Sequence, residues 1–167
     1  LMWQVKWKLQ ALPHQREPED GEYDTFLMLA GRGSGKTHTA SHWIGIRAAV
    51  YDNTRWLVTA PTSNDIRATC FEGDSGLLNI IPASLIKDYN KSLFEITLHN
   101  GSLIQGIPGS EPERYRGKQY HGAWFDDPEY QAKGSLFWRD VYSIDRADQY
   151  WSGSDMWKIF NVMPNDG

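Results

Sequence analysis

The residues best suited to chemistry in this chain are Lys36 and Thr37, which close the glycine-rich segment AGRGSGKT at positions 30–37. The apolar run Phe26–Ala30 leads into the glycines, and a stretch free of helix breakers follows Thr37. An apolar strand, a glycine loop, a Lys-Thr pair and a helix in this order form a P-loop arrangement. Its backbone N–H groups converge on phosphate oxygens, and the helix N-terminus adds partial positive charge. The segment therefore predicts a nucleotide phosphate site.

Each residue of the motif has an expected role. Lys36 is predicted to reach the β- and γ-phosphates, and the Thr37 hydroxyl is predicted to bind Mg²⁺. The other phosphate contacts are expected from the loop residues Gly31, Arg32, Gly33, Ser34 and Gly35. The strict pattern G-x-x-x-x-G-K-[ST] has glycine where this chain has Ala30. Alanine is the smallest replacement, and the turn tolerates it wherever φ stays negative. A glycine turn that binds no nucleotide is the alternative.

A second apolar strand, predicted over Gly122–Phe125, ends in Asp126 and Asp127. In P-loop ATPases such a strand end supplies the metal anchor, so Asp126 is predicted to hold Mg²⁺ through a water. Many of these enzymes carry, at the position of Asp127, a glutamate that orients the attacking water. Aspartate is one methylene shorter, and a misplacement of about 1 Å costs on the order of 100-fold in rate. Asp127 therefore predicts slow or lost hydrolysis unless the backbone is shifted, and a simple turn at Asp126–Pro128 is the alternative.

Two arginines could neutralise charge that develops on the transferred phosphate. Arg32 lies within the phosphate loop, and Arg116 lies shortly before the acidic strand. Such an arginine acts within its own subunit or on a neighbour, although most arginines simply form surface ion pairs. His38 and His42 have the i, i+4 spacing of metal ligands. No glutamate follows the first histidine, so the pattern favours a structural or surface role over a metal site.

The composition bounds the class of protein. A chain of 167 residues suits one domain with a real core, to which eight Trp and eight Tyr contribute. The single cysteine excludes an internal disulfide and fits a reducing compartment. A net charge of −4 does not indicate a nucleic-acid-binding surface, but it permits contact with DNA through a few loops. No apolar run approaches the roughly 20 residues that span a bilayer.

Helices and strands are predicted to alternate along the chain. In the N-terminal arm, residues 1–22, Trp3 and Trp7 share a helix face, yet the arm's apolar residues also alternate like a strand. The later predicted elements are a helix over 37–51, a strand over 56–60, a helix over 64–71, a hairpin with strands 93–98 and 102–106 around Asn100-Gly101, a strand over 122–125, a helix over 135–144 and a strand over 158–163.

This alternation predicts an α/β fold, with a P-loop core, a mostly parallel sheet flanked by helices, and one added β-hairpin. Ligands of such sheets bind at the carboxyl ends of the strands. The phosphate loop, Asp126 and Asn161 are all expected at that edge.

Together these motifs resemble the ATPase domain of bacteriophage large terminase subunits, the motors that package DNA into procapsids. The resemblance covers most of the chain, and the order and spacing of its parts are more specific than any part except the P-loop. Those parts are His14-Gln15-x-x-Pro18, the segment 30–37 with Ala40 and Trp43, Val58–Thr62 with Asp65, the run 72–78, Asn100-Gly101, the run 112–117 and Gly122–Asp126.

The resemblance implies further roles for individual residues. Gln15 would read adenine, and Asp127 occupies the position of the family's catalytic glutamate. Arg32 matches the family's phosphate-loop arginine, and Arg116 matches the arginine proposed to act on ATP bound by a neighbouring subunit. Asn161 falls where the family has a threonine-rich coupling motif, so a γ-phosphate sensor is implied there.

At the level of the whole chain, the resemblance implies a Mg²⁺-dependent ATPase that moves double-stranded DNA into a procapsid. The implied partners are DNA, the portal protein, the small terminase subunit and further copies of this chain in a ring, in the cytoplasm of the infected bacterial host and not at a membrane. Residues 1–167 would be one ATPase domain, a fragment without the family's nuclease domain. Two alternatives stay open: another P-loop motor such as a helicase, and a nucleotide-binding module that Asp127 has left unable to hydrolyse.

Overall fold

One seven-stranded sheet organises the computed structural model, which describes residues 1–16, 25–30, 35–111, 114, 120–126 and 158–164. The strands are β1 Thr25–Ala30, β2 Arg55–Thr59, β3 Ile86–Asn90, β4 Glu95–Leu98, β5 Leu103–Gly106, β6 Gly122–Asp126 and β7 Lys158–Pro164. Their order across the sheet is β1-β7-β6-β2-β5-β4-β3. The first five in that order are parallel, and among the described strands only β4 runs against the rest. The prediction of a mostly parallel α/β sheet is confirmed.

The helices are α1 Met2–Gln10, α2 Lys36–Val50, α3 Ser63–Asp65 and α4 Leu77–Ile80, with 3₁₀ turns at Pro13–Gln15 and Ala83–Leu85 and a π-helical segment at Ile66–Phe71. The ambiguous arm is therefore a helix, the helix predicted over 37–51 is confirmed, and the helix predicted over 64–71 widens into π geometry after α3. The helix predicted over 135–144 lies outside the described residues. None of the helices within the described residues is long and apolar enough to cross a bilayer.

The P-loop helix α2 packs on one face of the central strands. Trp56 and Val58 of β2 and Trp124 of β6 share a buried core with Ala40 and Ile44 of α2. Alternate residues of a strand point to one face, so this face of the sheet is the α2 face. Every residue of β6 is buried, which is typical of a parallel strand covered on both sides.

The hairpin predicted around Asn100-Gly101 is confirmed, and it also holds the far end of α2. Gly101 has φ +86°, a left-handed conformation that favours glycine, and a Cβ there would collide with the Asn53 side chain. Nδ2 of Asn100 donates to the carbonyls of Ala48 and Ala49, at 2.8 and 3.1 Å. These are carbonyls of the last helical turn, which have no partner inside the helix.

The sequence-based prediction missed β3, which adds a third strand to this antiparallel part of the sheet. Its sequence, IKDYN, lacks an apolar alternation, and Lys87 and Asp88 are exposed. Charged residues on an edge strand discourage pairing with other chains, so the polar pattern reflects the edge position.

Candidate functional site

Gly35 forms the turn between the phosphate loop and α2. It precedes the helix with φ +84°, in the left-handed region. Its carbonyl accepts hydrogen bonds from the Thr39 backbone N–H at 2.9 Å and from the Thr39 hydroxyl at 2.7 Å. A Cβ at this position would lie 2.5 Å from Nε2 of Gln15. The left-handed backbone conformation therefore favours glycine here, whereas the end of the flexible Gln15 side chain could move aside.

Lys36 and Thr37 are the first two residues of α2, and both are half-buried. The N–H groups of a first helical turn have no partner within the helix, and the helix dipole places partial positive charge there. The first turn of this 15-residue helix therefore carries a lysine, a threonine and backbone N–H donors. That combination suits a phosphate group.

Asp126 is the last residue of β6 and is 5% exposed. It pairs with Val162 of β7, which separates β6 from β1 in the sheet. Because Asp126 is two residues beyond Trp124, which packs in the α2 core, it emerges on the α2 face of the sheet. The carboxylate thus lies at the strand end and on the sheet face from which α2 starts.

Asn161 lies between the same two strands. In the register of the sheet it pairs with Leu27 of β1 and with Phe125 of β6. Its backbone is therefore one position before the level of Asp126, close to the carboxyl edge of the sheet. The strands predicted to converge at this edge are thus direct neighbours, although β7 is the last strand in the chain.

The donor set is suitable for Mg²⁺. Magnesium prefers oxygen ligands and is usually held by one or two carboxylates together with substrate phosphates. Asp126 and Thr37 provide a buried carboxylate and a hydroxyl at the same sheet edge. Among the described residues no group of three or more His, Cys, Asp and Glu side chains forms an all-protein metal cage. A site shared with phosphate oxygens is the kind these residues would complete.

Gln15 connects the N-terminal arm to the phosphate loop. Its side chain is 8% exposed, Oε1 accepts from the Leu12 backbone N–H at 2.9 Å, and Nε2 is 3.5 Å from the Gly35 carbonyl oxygen in a long hydrogen bond. A donor on one side and an acceptor on the other fix which way the amide points. The residue predicted to read adenine is therefore held beside the first turn of α2.

Several predicted site residues lie outside the described part of the chain. The phosphate-loop residues Gly31, Arg32, Gly33 and Ser34 are among them, as are Arg116 and the predicted catalytic residue Asp127. Their roles stay predictions. Among the described residues, Gln15 lies beside Gly35, Lys36 and Thr37 begin α2, and Asp126 ends the strand β6.

His38 and His42, for which a structural or surface role is predicted, both pack against tryptophan. His42 stacks on Trp7 with ring centroids 3.9 Å apart, and His38 meets Trp7 edge-on at 5.6 Å. The Nδ1–H of His42 donates to the His38 carbonyl at 2.8 Å. The sequence pattern identified the two histidines but not their partner Trp7. The helical spacing of Trp3 and Trp7 was the signal that could have indicated a helix packed against them.

Burial lowers the pKa of His42 from 6.5 to about 4, an effect that the charge on His38 adds to and the hydrogen bond to the His38 carbonyl opposes. Between pH 4 and 6.5 the unfolded chain therefore binds a proton that the folded chain does not. We expect the free energy of unfolding to fall by about 2 kcal/mol between pH 8 and pH 5. Urea unfolding at the two pH values measures this loss.

The matched variant for this prediction is His42→Gln, which keeps a polar side chain of similar size but cannot titrate. Its stability should depend less on pH than that of the unaltered chain over the same range. An equal loss of stability in both proteins would show that other groups cause the pH dependence.

Comparison with protein families matches this chain to a terminase family. The family model for the terminase large subunit, T4likevirus-type, N-terminal, matches residues 27–139. The match includes the phosphate loop, α2 and the strand that ends at Asp126. A search of curated proteins gave no match.

Solved structures with a similar fold are also large terminases. The large terminase of a thermophilic bacteriophage superposes with a TM-score of 0.63 at 14% identity, covering 96% of this chain and 38% of that protein. The large terminase ATPase domain of Thermus phage P74-26 gives a TM-score of 0.62 at 15% identity, covering 84% of this chain and 59% of that domain. The first of these proteins, in complex with ADP, gives a TM-score of 0.60 at 15% identity, covering 96% of this chain and 38% of that one. This chain thus spans well under half of the thermophilic bacteriophage protein.

Proposed function

The chain belongs to the family of the terminase large subunit, T4likevirus-type, N-terminal, and from this membership we propose that it hydrolyses ATP to drive double-stranded DNA into a viral procapsid. The family in general supports a DNA-packaging motor. ATP as the nucleotide is further supported by the related terminase of the thermophilic bacteriophage, which has been solved in complex with ATP-gamma-S and with ADP.

One observation carries the proposal for hydrolysis. The buried carboxylate of Asp126 and the Lys36-Thr37 start of α2 lie at the same edge and on the same face of the sheet. If the phosphates of a nucleotide bind at the start of α2, the metal they carry would lie between the start of α2 and the end of β6. A buried acid at this position supports metal binding, and hence hydrolysis, over phosphate binding alone.

In this mechanism the chain's residues position and neutralise charge. Lys36 and the first-turn N–H groups of α2 hold the phosphates, and Thr37 and Asp126 hold Mg²⁺. When bound, Mg²⁺ withdraws charge from the phosphate oxygens. Gln15 contacts the adenine, and Asp127 orients the water that attacks the γ-phosphate.

The negative charge that develops on the transferred phosphate must be neutralised by cations besides Lys36 and Mg²⁺. We propose that Arg32 neutralises this charge from within the phosphate loop and that Arg116 acts on the ATP of a neighbouring subunit. We further propose, from the family resemblance alone, that Asn161 of β7 senses the γ-phosphate. The active form is then a ring of copies that contacts DNA, the portal protein and the small terminase subunit in the host cytoplasm.

Asp127 favours one second candidate, a module that binds ATP but does not hydrolyse it. Phosphate release by the purified chain with Mg²⁺ and ATP tests the proposed hydrolysis. We expect slow release, and we expect Asp127→Glu to raise it by up to about 100-fold, because the longer side chain reaches the attacking water.

Asp88→Glu is the matched control, because it makes the same change at an exposed position on the edge strand β3. It should leave phosphate release unchanged. ATP binding without release in both the unaltered chain and Asp127→Glu would establish the non-hydrolysing module. Strand separation of duplex DNA by the chain would instead favour a helicase.

A further inference from the structure

Helix α1 lies against the P-loop helix α2 through two tryptophans. Trp7 stacks on His42 with an interplanar angle of 11° and also contacts His38. The Trp3 ring lies 5.9 Å from the His42 ring, on the side farther along α2. α1 therefore runs antiparallel to α2, and its C-terminal end is directed toward Gly35.

Gly45 allows the close approach of the two helices. A Cβ at Gly45 would lie 2.8 Å from Cη2 of Trp3 and 3.1 Å from Cγ1 of Ile81. His38, His42 and Gly45 follow one another at helical spacing, so they form one face of α2. Glycine weakens a helix interior relative to alanine, and contact with α1 is the reason for it here.

The face of α1 opposite the two tryptophans is largely exposed. Met2 and Leu9 are 70% and 79% exposed, and α1 has nine residues. A helix this short is only marginally stable in water by itself. The docked position of α1 therefore depends on Trp3 and Trp7.

The end of α1 leads directly to the nucleotide site. Ala11 is 5% exposed, and the 3₁₀ turn Pro13–Gln15 follows it. Through this turn the docked helix holds the amide of Gln15 beside Gly35. If α1 leaves α2, the amide loses its fixed place.

We infer that Trp3 and Trp7 are positioning residues for the nucleotide base. Docked on α2, they hold Gln15 where it contacts adenine. They therefore determine how much tighter the chain binds ATP than it binds the triphosphate group alone. The inference rests on the proposed function, because it takes Gln15 as the group that contacts the base.

Two variants of the full chain release the helix in different ways. Trp7→Ala removes the stack on His42, whereas Gly45→Ala pushes Trp3 away while raising the helix propensity of α2. Affinities for ATP and for inorganic tripolyphosphate, both with Mg²⁺, separate base contacts from phosphate contacts. We expect ATP affinity to fall about 3- to 10-fold in both variants, the value of one lost hydrogen bond, while tripolyphosphate affinity changes less than about 2-fold.

Two controls accompany these variants. Trp7→Phe keeps an aromatic ring on His42 and should keep the ATP-to-tripolyphosphate ratio. Leu9→Ala changes the exposed face of α1 and should leave both affinities unchanged.

The pattern of ATP and tripolyphosphate affinities decides whether Trp3 and Trp7 position the base contact. A selective loss of ATP affinity, restored in Trp7→Phe, supports the inference. Equal losses for ATP and tripolyphosphate, or no loss for either, would overturn it while leaving the proposed function in place. Failure of the unaltered chain to bind either ligand would overturn both.

Discussion

Replacing Asp126 by asparagine should lower ATP turnover by at least about 100-fold, because the substitution removes the buried negative charge that anchors the metal. The two side chains have nearly the same shape, so the core around β6 should remain intact. Asp126 is 5% exposed, at the end of a fully buried strand and on the face that carries α2. Solvent cannot supply another negative charge for the metal at so buried a position. Phosphate release over a range of Mg²⁺ concentrations measures the effect.

The metal dependence distinguishes this role from a structural one. Asp126→Asn should require more Mg²⁺ for half-maximal release, while its unfolding midpoint should change little. Asp88→Asn, the same change at an exposed site on β3, should match the unaltered chain in both measurements. Full turnover of Asp126→Asn at an unchanged Mg²⁺ requirement would exclude Asp126 as the anchor and remove the main support for hydrolysis at this edge.

Arg116→Ala should reduce turnover in the assembled state by about 10³-fold or more, the usual value of an arginine that stabilises the charge of the transition state. The effect follows if Arg116 reaches the ATP of the next subunit, as the family resemblance implies. The isolated chain should then hydrolyse ATP slowly, and it should gain activity as its concentration approaches that needed for assembly. Phosphate release against protein concentration measures the gain.

Mixing separates action on a neighbour from action within one subunit. If Arg116 acts on a neighbour, adding Arg116→Ala chains to unaltered chains should suppress activity by more than the fraction of variant added. Activity that falls only in proportion to that fraction would show that each subunit works alone. Arg114→Ala is the nearby control, because Arg114 forms an ion pair with Glu111 at 2.7 Å.

The antiparallel part of the sheet shows what a pattern can and cannot predict. The β4–β5 hairpin was predictable, because Asn100-Gly101 provides the local conformation that a tight turn needs. The pairing of β3 with β4 was not, because the edge strand carries charges where an apolar alternation would have marked it. Edge position is a property of the finished sheet, and it changes which residues a strand can carry.

The N-terminal arm provides a second case. Trp3 and Trp7 fitted either a helix or a strand, and local periodicity could not choose between the two. Contacts with His42 and Gly45 of α2 favour the helix, because only a helix places both tryptophans on the face that packs against these two residues. Those partners lie more than thirty positions along the chain, beyond the reach of local periodicity.

The sequence by itself determined the phosphate loop, the acid at the end of a buried strand and the family, because each depends on residue types at short fixed spacings. Only the tertiary structure decided that β7 lies between β1 and β6, that Asp126 emerges on the face of α2, and that α1 holds Gln15 against Gly35. The physical reason is the range of the interactions. Turn conformations and helix starts are fixed by neighbouring residues, whereas strand order and helix docking depend on which distant apolar surfaces can be buried together.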